Sequence, residues 1–417
     1  MTQTPSPIEQ PAADTHGLGP WASAAPASTL SWVEIDLARI ERNLAAVRRL
    51  VGPRVRVCAA VKKDAYGLGA AAIATRLAQA GCDMLAVYST DEAARLLEAG
   101  IDATPLLVLM PVWHIEPTGP LAEAARGRRL HLSMHEPAQV AALRAAARQL
   151  DAVLPVHVFL DTGMSRSGLE PARLGEVLER IERCPELRLA GVYSHLATAD
   201  DDGDFAREQL RRYDATVGNL GLRISDFGCG RHIANTCGLL RDRAFHLDMV
   251  RPGLGLLGYG AESLVGDPCL EPGFAFEPAM RWLSRVVHVR QYEAGEGVGY
   301  GLTHRLDRRS VLGVVPVGYG DGYPLALSSR GVVRVEVDGQ LVPAPVLGRV
   351  NMDQITVDLT DVAARRGPDA ILRGARVELV SPDPAAPNAL HRLAALAGSH
   401  CYEMLCRLRV PRAYIDR

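Results

Sequence analysis

The stretch "VRVCAAVKKDAYGLGAAAIATRLAQAG", residues 55–81, decides the fold. Its run of small and β-branched residues from Val55 to Val61 reads as a buried strand. The Gly-punctuated "KKDAYGLG" reads as a turn, and "AAAIATRLAQAG" as a helix that stops at Gly81. A strand, a Gly-rich turn and a helix make half of a βαβ unit. Lys62 and Lys63 close the strand, and since an ammonium group is seldom tolerated inside one, both belong at its end. Strand alternation points them in opposite directions, one toward an interior site and one outward. The plainer alternative is that both are solvated strand-end charges.

Outward from this unit the pattern repeats. Upstream, "DLARIERNLAAVRRLV" (36–51) places Leu37, Ile40, Leu44, Val47 and Val51 at spacings of three and four, with Asp36 as N-cap. Downstream, the strand candidates "DMLAVYS", "PLLVLM", "RLHLSM", "PVHVFLD", "LAGVYSH", "RHIAN" and "HLDMVRP" are separated mainly by helical stretches such as "DEAARLLEAG", "PAQVAALRAAARQL", "ARLGEVLERIERC" and "AREQLRRYDATVGNLG". Eight strands so spaced predict an α/β fold, a parallel (β/α)8 TIM-like barrel assigned to residues 32–275, with a doubly wound open sheet as the competing layout. Beyond residue 276 the helical period fades. "GVVRVEVDGQLVPAPVLG" alternates Val333, Val335 and Val337 with charges and turns at Asp338-Gly339, and "QITVDL" alternates again. Residues 276–417 therefore read as a mostly β C-terminal domain with one short helix at "ALHRLAALAG".

Composition narrows the function classes. The chain has 417 residues, 48% of them hydrophobic, enough for a sizeable core. A formal net charge of −2 gives no overall basic field for nucleic acid or an anionic membrane, so anionic small molecules would need a local site. The eight cysteines form no C-x-x-C pair, which argues against a zinc knuckle or a disulfide framework and fits reduced thiols in a cytoplasmic protein without a metal site. Residues 1–31, rich in Ala, Pro, Ser and Thr, lack the basic and apolar regions of a secretory signal and read as a disordered leader. No run of ~18 apolar residues predicts a membrane helix.

Catalytic groups of a barrel lie at the C-terminal ends of its strands. Lys62 and Tyr66, Arg166 in "DTGMSRSG", His195 in "VYSHLATADD", Asn235 and Thr236 in "RHIANT", and Arg251 in "VRPGLG" all fall there. Singly each has a bland explanation: a core histidine, a surface ion pair, a helix cap. Their common placement makes a cationic mouth with hydroxyls, suited to a phosphorylated ligand that backbone N–H groups of "RPGLG" could also hold.

In order along the chain, "AAVKKDAYGLG", "DTGMSRSGLE", "SHLATADD", "HIANT", "VRPGLGL", "VGYGLTHR", "VGYGDGYP", "GRVNMDQ" and "CYEMLCRLRVPRAY" resemble the successive motifs of the bacterial alanine racemases, over residues 32–417. That resemblance implies a pyridoxal 5'-phosphate enzyme of a barrel plus a β domain, a homodimer with shared sites acting on a small amino acid and supplying D-alanine for peptidoglycan, with no nucleic-acid or membrane partner. It picks Lys62 as the cofactor-bearing lysine, four residues before the tyrosine. It implies Tyr66, Thr236, Gly253, Leu254 and Tyr402 around the phosphate, His195 and Asn235 also at the cofactor, and Arg251 at the pyridine nitrogen. Arg166 and Met352 would meet the substrate carboxylate. Tyr300 would be the second catalytic base, reaching into the partner subunit's site, with His232, Tyr319 and Asp353 behind the reacting groups.

These residue types suit racemisation, which needs a proton taken from one face of Cα and another delivered to the opposite face. Lysine, pKa about 10.4, and tyrosine, about 10, serve as bases at neutral pH only when those values fall, and neighbouring positive charge from His195 and Arg251 would lower them. Arginine at the ring nitrogen cannot accept a proton, unlike the carboxylate found in many pyridoxal enzymes, so the ring is a weaker electron sink and side reactions slow. This weighs against a fold-related amino-acid decarboxylase, and the β domain weighs against a small non-catalytic pyridoxal-phosphate-binding protein. Serine or broad-specificity racemisation is the alternative within the family. The chain departs from the family pattern at Phe159, where many members carry a lysine that is carbamylated and holds the arginine. It also departs at Leu257 for tyrosine, Thr236 for serine and Asn351 for cysteine.

Overall fold

The computed structural model describes residues 29–218, 230–260, 264, 274–364 and 373–417. The first strand, β1 (Trp32–Asp36), leads into the helix Leu37–Val51, which Asp36 caps by accepting from the Ala38 and Arg39 N–H groups at 3.1 and 3.2 Å. That helix buries Leu37, Ile40, Leu44 and Val47, the spacing read from the sequence, each worth roughly 1.5–3 kcal/mol. Eight strands follow: β2 (Arg56–Ala60), β3 (Met84–Val87), β4 (Leu106–Pro111), β5 (Leu130–Met134), β6 (Leu154–Phe159), β7 (Leu187–Tyr193), β8 (Gly230–His232) and β9 (Met249–Val250). All pair parallel in the order β8-β7-β6-β5-β4-β3-β2-β9. The ring closes where the Asp248 N–H donates to the Arg231 carbonyl at 3.0 Å and the Arg251 N–H to the Ala234 carbonyl at 2.9 Å, which rules out the open sheet.

The barrel interior is divided. On one side Cys58, Met84, Ala86, Leu107 and Met249 form an apolar cluster. On the other, alternate residues of β5 to β8 are polar or aromatic: His131, Ser133, His157, Phe159, Tyr193 and His232, all buried. His157 on β6 reaches His232 on β8 past β7 because Gly191 lies between them; a Cβ there would fall 2.2 Å from His157 Nδ1.

The C-terminal β domain has β10 (Met280–Arg285), β11 (His288–Tyr292), β12 (Gly297–Val298), β13 (His304–Arg305), β14 (Ser310–Val315), β15 (Val332–Val337), β16 (Gln340–Leu347), β17 (Ile355–Asp358), β18 (Arg376–Val380) and β19 (Arg412–Ile415). Nine strands form one sheet in the order β11-β14-β17-β16-β15-β18-β10-β1-β19, while β12 pairs with β13. The sheet takes in β1, of which the sequence pattern gave no sign: it runs antiparallel to β10 and parallel to β19. Asp338 and Gly339 join β15 to β16 at φ of 51° and 77°, the left-handed pair a two-residue hairpin needs. Mid-sheet, Glu378 is 1% exposed and accepts from Arg281 Nε at 2.6 Å and Arg334 Nε at 2.8 Å. The expected single helix is present as Leu390–Leu396, but Thr360–Ala364 and Cys401–Cys406 are helical too, each too short to show a period in sequence. Six cysteines are free thiols; Cys229, Cys269, the "NLG" end of the predicted helix "AREQLRRYDATVGNLG" and nearly all of the expected leader lie outside the described residues. No helix among the described residues is long and apolar enough to cross a membrane.

Candidate active site

A cavity of about 720 Å³ opens at the C-terminal ends of the barrel strands, and ten of the residues singled out in the sequence line it: Lys62, Tyr66, Arg166, His195, Asn235, Thr236, Arg251, Gly253, Leu254 and Tyr402. Among the described residues its walls carry three cations, Lys62, Arg166 and Arg251, and no carboxylate.

The two lysines do diverge, but strand alternation is not the cause. The strand ends at Ala60, and Lys63, Asp64, Ala65 and Tyr66 all have positive φ, from 50° to 57°. This is one turn of left-handed helix, closed by Ala65 N–H to the Val61 carbonyl at 2.8 Å and Gly67 N–H to the Lys63 carbonyl at 2.9 Å. Each such residue costs roughly 1–2 kcal/mol, so surrounding structure must impose the turn. The end of the chain does so. Arg412 pairs with Asp64 at 2.7 Å, and the Tyr414 hydroxyl donates to the Leu68 carbonyl at 3.2 Å. A Cβ on Gly67 would meet the Leu405 carbonyl oxygen at 2.5 Å. Lys62 thereby enters the cavity, where burial, then Arg166 and Arg251, push its amine below the ordinary lysine value. Lys63 turns outward, 64% exposed, pairs with Glu92 at 3.7 Å and lies 5.0 Å over the Tyr88 ring.

Arg251 is buried and tied on one side. Its Nη1 donates to His232 Nδ1 at 2.7 Å and its Nη2 to the Ser194 carbonyl at 2.8 Å, with His195 Nδ1 at 3.4 Å. Burial first, then Arg251, Lys62 and Arg166, bring His195 down to about 3, and His232 falls well below the usual histidine range for similar reasons. Both rings are neutral. The positive charge expected from His195 thus comes from the arginines and Lys62, while the histidines supply hydrogen bonds.

At the other end, Thr236 Oγ accepts from the Gly253 and Gly255 N–H groups at 3.1 Å each, so part of the donor set expected from "RPGLG" is already engaged. A Cβ on Gly253 would lie 2.1 Å from the Tyr66 hydroxyl, so glycine leaves the space in which that phenol faces the cavity. Tyr66 and Tyr402 pack with ring centroids 5.8 Å apart, and neither hydroxyl has a protein partner among the described residues. Two free phenols, a glycine in the floor, a half-buried amine and a buried arginine fit a phosphorylated aldehyde: donors for the phosphate, a nucleophile for the carbonyl carbon and an N–H for a ring nitrogen.

Arg166 sits on the loop after β6. The Asp161 carboxylate shapes that loop by accepting from the Gly163, Met164 and Ser165 N–H groups at 2.8 to 3.1 Å, and among the described residues Arg166 has no ion-pair partner. Phe159 instead stacks on Tyr193 (centroids 4.6 Å, 8° between planes), which stacks on His232 (4.8 Å, 1°). Sequence reasoning missed this column, the histidines beneath it, and His135. The last donates through Nε2 to the Leu109 carbonyl at 3.0 Å in the cavity wall. Inward placement on alternate strand positions was the available signal.

Four of the expected residues lie elsewhere. Tyr300, Met352, Tyr319 and Asp353 are exposed on the β domain, Tyr300 at 71%, and none lines the cavity of its own chain; Tyr319 therefore does not stand behind Arg251 within the subunit. Their segments adjoin: the Tyr319 N–H donates to the Asn351 carbonyl at 2.9 Å, and a Cβ on Gly299 would lie 3.8 Å from the Arg349 nitrogen.

Residues 35–261 match the family model of the alanine racemase N-terminal domain and residues 279–414 that of the C-terminal domain. The chain belongs to the alanine racemase family. It is 36% identical over 393 residues to the alanine racemase of Symbiobacterium thermophilum, covering 92% of this chain and 97% of that one. The crystal structure of alanine racemase from D-cycloserine producing Streptomyces lavendulae superposes with a TM-score of 0.79 at 30% identity, over 94% of this chain and 98% of that one. The alanine racemase of Bartonella henselae, described with covalently bound pyridoxal phosphate, gives 0.77 at 27% identity over 94% and 100%. Family membership thus covers both the barrel that bears the cavity and the β domain that bears Tyr300.

Proposed function

We propose that this protein is a cytoplasmic pyridoxal-phosphate-dependent racemase that interconverts L- and D-alanine, and that D-alanine for peptidoglycan is its product in the cell. The observation carrying this reading is the three-cation cavity, without a carboxylate among the described residues, in which Lys62 is half-buried and Arg251 buried. When bound, the cofactor supplies delocalisation of the electron pair left on Cα. Lys62 holds it and moves the proton on one face of Cα; burial and the two arginines favour its neutral, basic form. Tyr66 and Tyr402 donate to the phosphate with Thr236, Gly253 and Leu254 around it, and His195 and Asn235 border it. Arg251 faces the ring nitrogen with an N–H and cannot accept a proton, which favours reprotonation over decarboxylation or amino transfer. Arg166 is available for the substrate carboxylate.

Tyr300 moves the proton on the opposite face, from the partner subunit of a homodimer, with Met352 at the carboxylate and Tyr319 and Asp353 nearby. The exposed apolar face of Tyr300, Leu302, Tyr319 and Met352 supports that assembly. Purified protein with added cofactor, offered a panel of L-amino acids, should convert alanine fastest. Faster turnover of serine would point to the broad-specificity alternative, and no conversion of any amino acid would overturn the racemase reading. Mixing inactive Lys62→Ala and Tyr300→Phe subunits should restore activity if sites are shared.

A further inference from the structure

Beneath Arg251 runs a line of three histidines. His232 Nε2 lies 2.9 Å from His157 Nδ1, and His157 Nε2 lies 2.9 Å from His131 Nδ1. The line crosses the barrel interior from the last residue of β8, through β6, to the second residue of β5. Its far end, His131 Nε2, has no protein partner among the described residues, and His131 is 8% exposed.

The direction of every bond in the line follows from its first member. Arginine has five N–H donors and no acceptor, so His232 must offer Arg251 a lone pair at Nδ1. Neutral His232 then carries its proton on Nε2 and donates to His157. His157 in turn carries its proton on Nε2 and donates to His131, which does the same at its open end. A proton on any Nδ1 would set two donors face to face, and a second proton on any ring would place a cation inside the barrel between Arg251 and Arg56, whose charge bears on all three rings. Burial keeps all three rings neutral. The Phe159–Tyr193–His232 column fixes the plane of the His232 ring, so only the hydrogen bonds choose its tautomer. On the cavity side, Nη1 and Nη2 of Arg251 are both engaged, and Nε is its donor without a protein partner among the described residues.

We infer that His157 and His131 are positioning residues for Arg251: they hold His232 in the Nε2-protonated tautomer, and so keep the Arg251 Nε–H aimed into the cavity. The function rests on the reading of Arg251 as neighbour of the ring nitrogen, whereas the tautomers do not.

The test begins with the unaltered holoenzyme labelled with ¹⁵N-histidine, the three signals assigned from His131→Gln, His157→Gln and His232→Gln. All three rings should be neutral and protonated on Nε2 near pH 8. A proton on Nδ1 of any of them, or a charged ring, overturns the inference even if the protein racemises alanine. Correct tautomers in a protein that racemises nothing would overturn the functional reading instead. Two substitutions then separate positioning from packing. His157→Leu fills the space but can neither accept from His232 nor donate to His131, and should lower kcat about tenfold, the equivalent of one lost buried hydrogen bond, with KM little changed and a shifted cofactor absorption band. His157→Gln can do both and should restore the band and most of kcat. Equal behaviour of the two variants, in band and in kcat, would refute a positioning role. If His157→Leu fails to fold, His131→Leu against His131→Gln at the accessible end gives the same comparison, and equal behaviour there refutes it likewise.

Discussion

Gly191→Ala should be costly for a reason confined to one contact. The new methyl would lie 2.2 Å from His157 Nδ1 and 2.8 Å from Cε1, so the ring must retreat by about 1 Å. His157 is held at both ends by 2.9 Å hydrogen bonds, and a shift of that size takes the one at Nδ1 beyond a workable length. A donor orphaned in the barrel costs about 1–3 kcal/mol, and forcing a methyl into a filled core about 1–3 kcal/mol more. The expected loss of about 2–6 kcal/mol is a large share of the ~5–15 kcal/mol of a whole domain. Denaturant unfolding of the holoenzyme, at fixed protein and cofactor concentration, would measure it. The same substitution made in a His157→Ala background should cost much less, since what remains is a 3.0 Å approach to the Gly230 carbonyl oxygen. An equal cost in both backgrounds would show that His157 does not occupy the space above Gly191.

Other consequences are as direct. Lys62→Ala should abolish covalent retention of the cofactor while Lys63→Ala leaves it intact, because only Lys62 enters the cavity; borohydride reduction followed by peptide mapping decides, and a label on Lys63 would reverse the assignment. Glu378→Ala leaves Arg281 and Arg334 facing each other without their shared carboxylate, and should destabilise the β domain by about 3–5 kcal/mol in thermal unfolding. Folding holds His131 down to about 4 from 6.5, burial being the main cause, so the unfolded chain binds the extra proton and stability should fall as pH drops from 6.5 to 4. That histidine alone accounts for about 3 kcal/mol, and His131→Gln should flatten the decline. Arg251→Glu should slow racemisation and raise pyruvate formation from alanine, read by a keto-acid assay; unchanged racemisation without added keto acid would remove Arg251 from the ring nitrogen.

The barrel was legible because its information is local. The periods of "DLARIERNLAAVRRLV" and "PAQVAALRAAARQL" and the Asp338-Gly339 turn belong to single segments, and each forms where the pattern puts it. Most of the cavity was legible too, since lysine, arginine and histidine at strand ends are conspicuous. What escaped depends on partners far away in sequence. Trp32–Asp36 pairs only with strands that follow hundreds of residues later, and nothing within "WVEID" announces them. The left-handed turn contains no glycine from Lys63 to Tyr66 and is imposed by Leu405, Arg412 and Tyr414. His131 and His157 looked like strand residues of no chemical note until the barrel brought them into line with His232.

The bracing of the lysine turn also sets a schedule. On a growing chain the barrel strands emerge long before Arg412 and Tyr414, and β1, the first strand among the described residues, must wait for β19 to cover its open edge. The closing contacts span nearly the full length of the polypeptide, the kind that form slowly and late. A nascent barrel therefore lacks the Leu405, Arg412 and Tyr414 contacts that brace the left-handed turn after Lys62. Cofactor capture thus waits on contacts from residues 405–414, hundreds of residues downstream of the lysine that takes it.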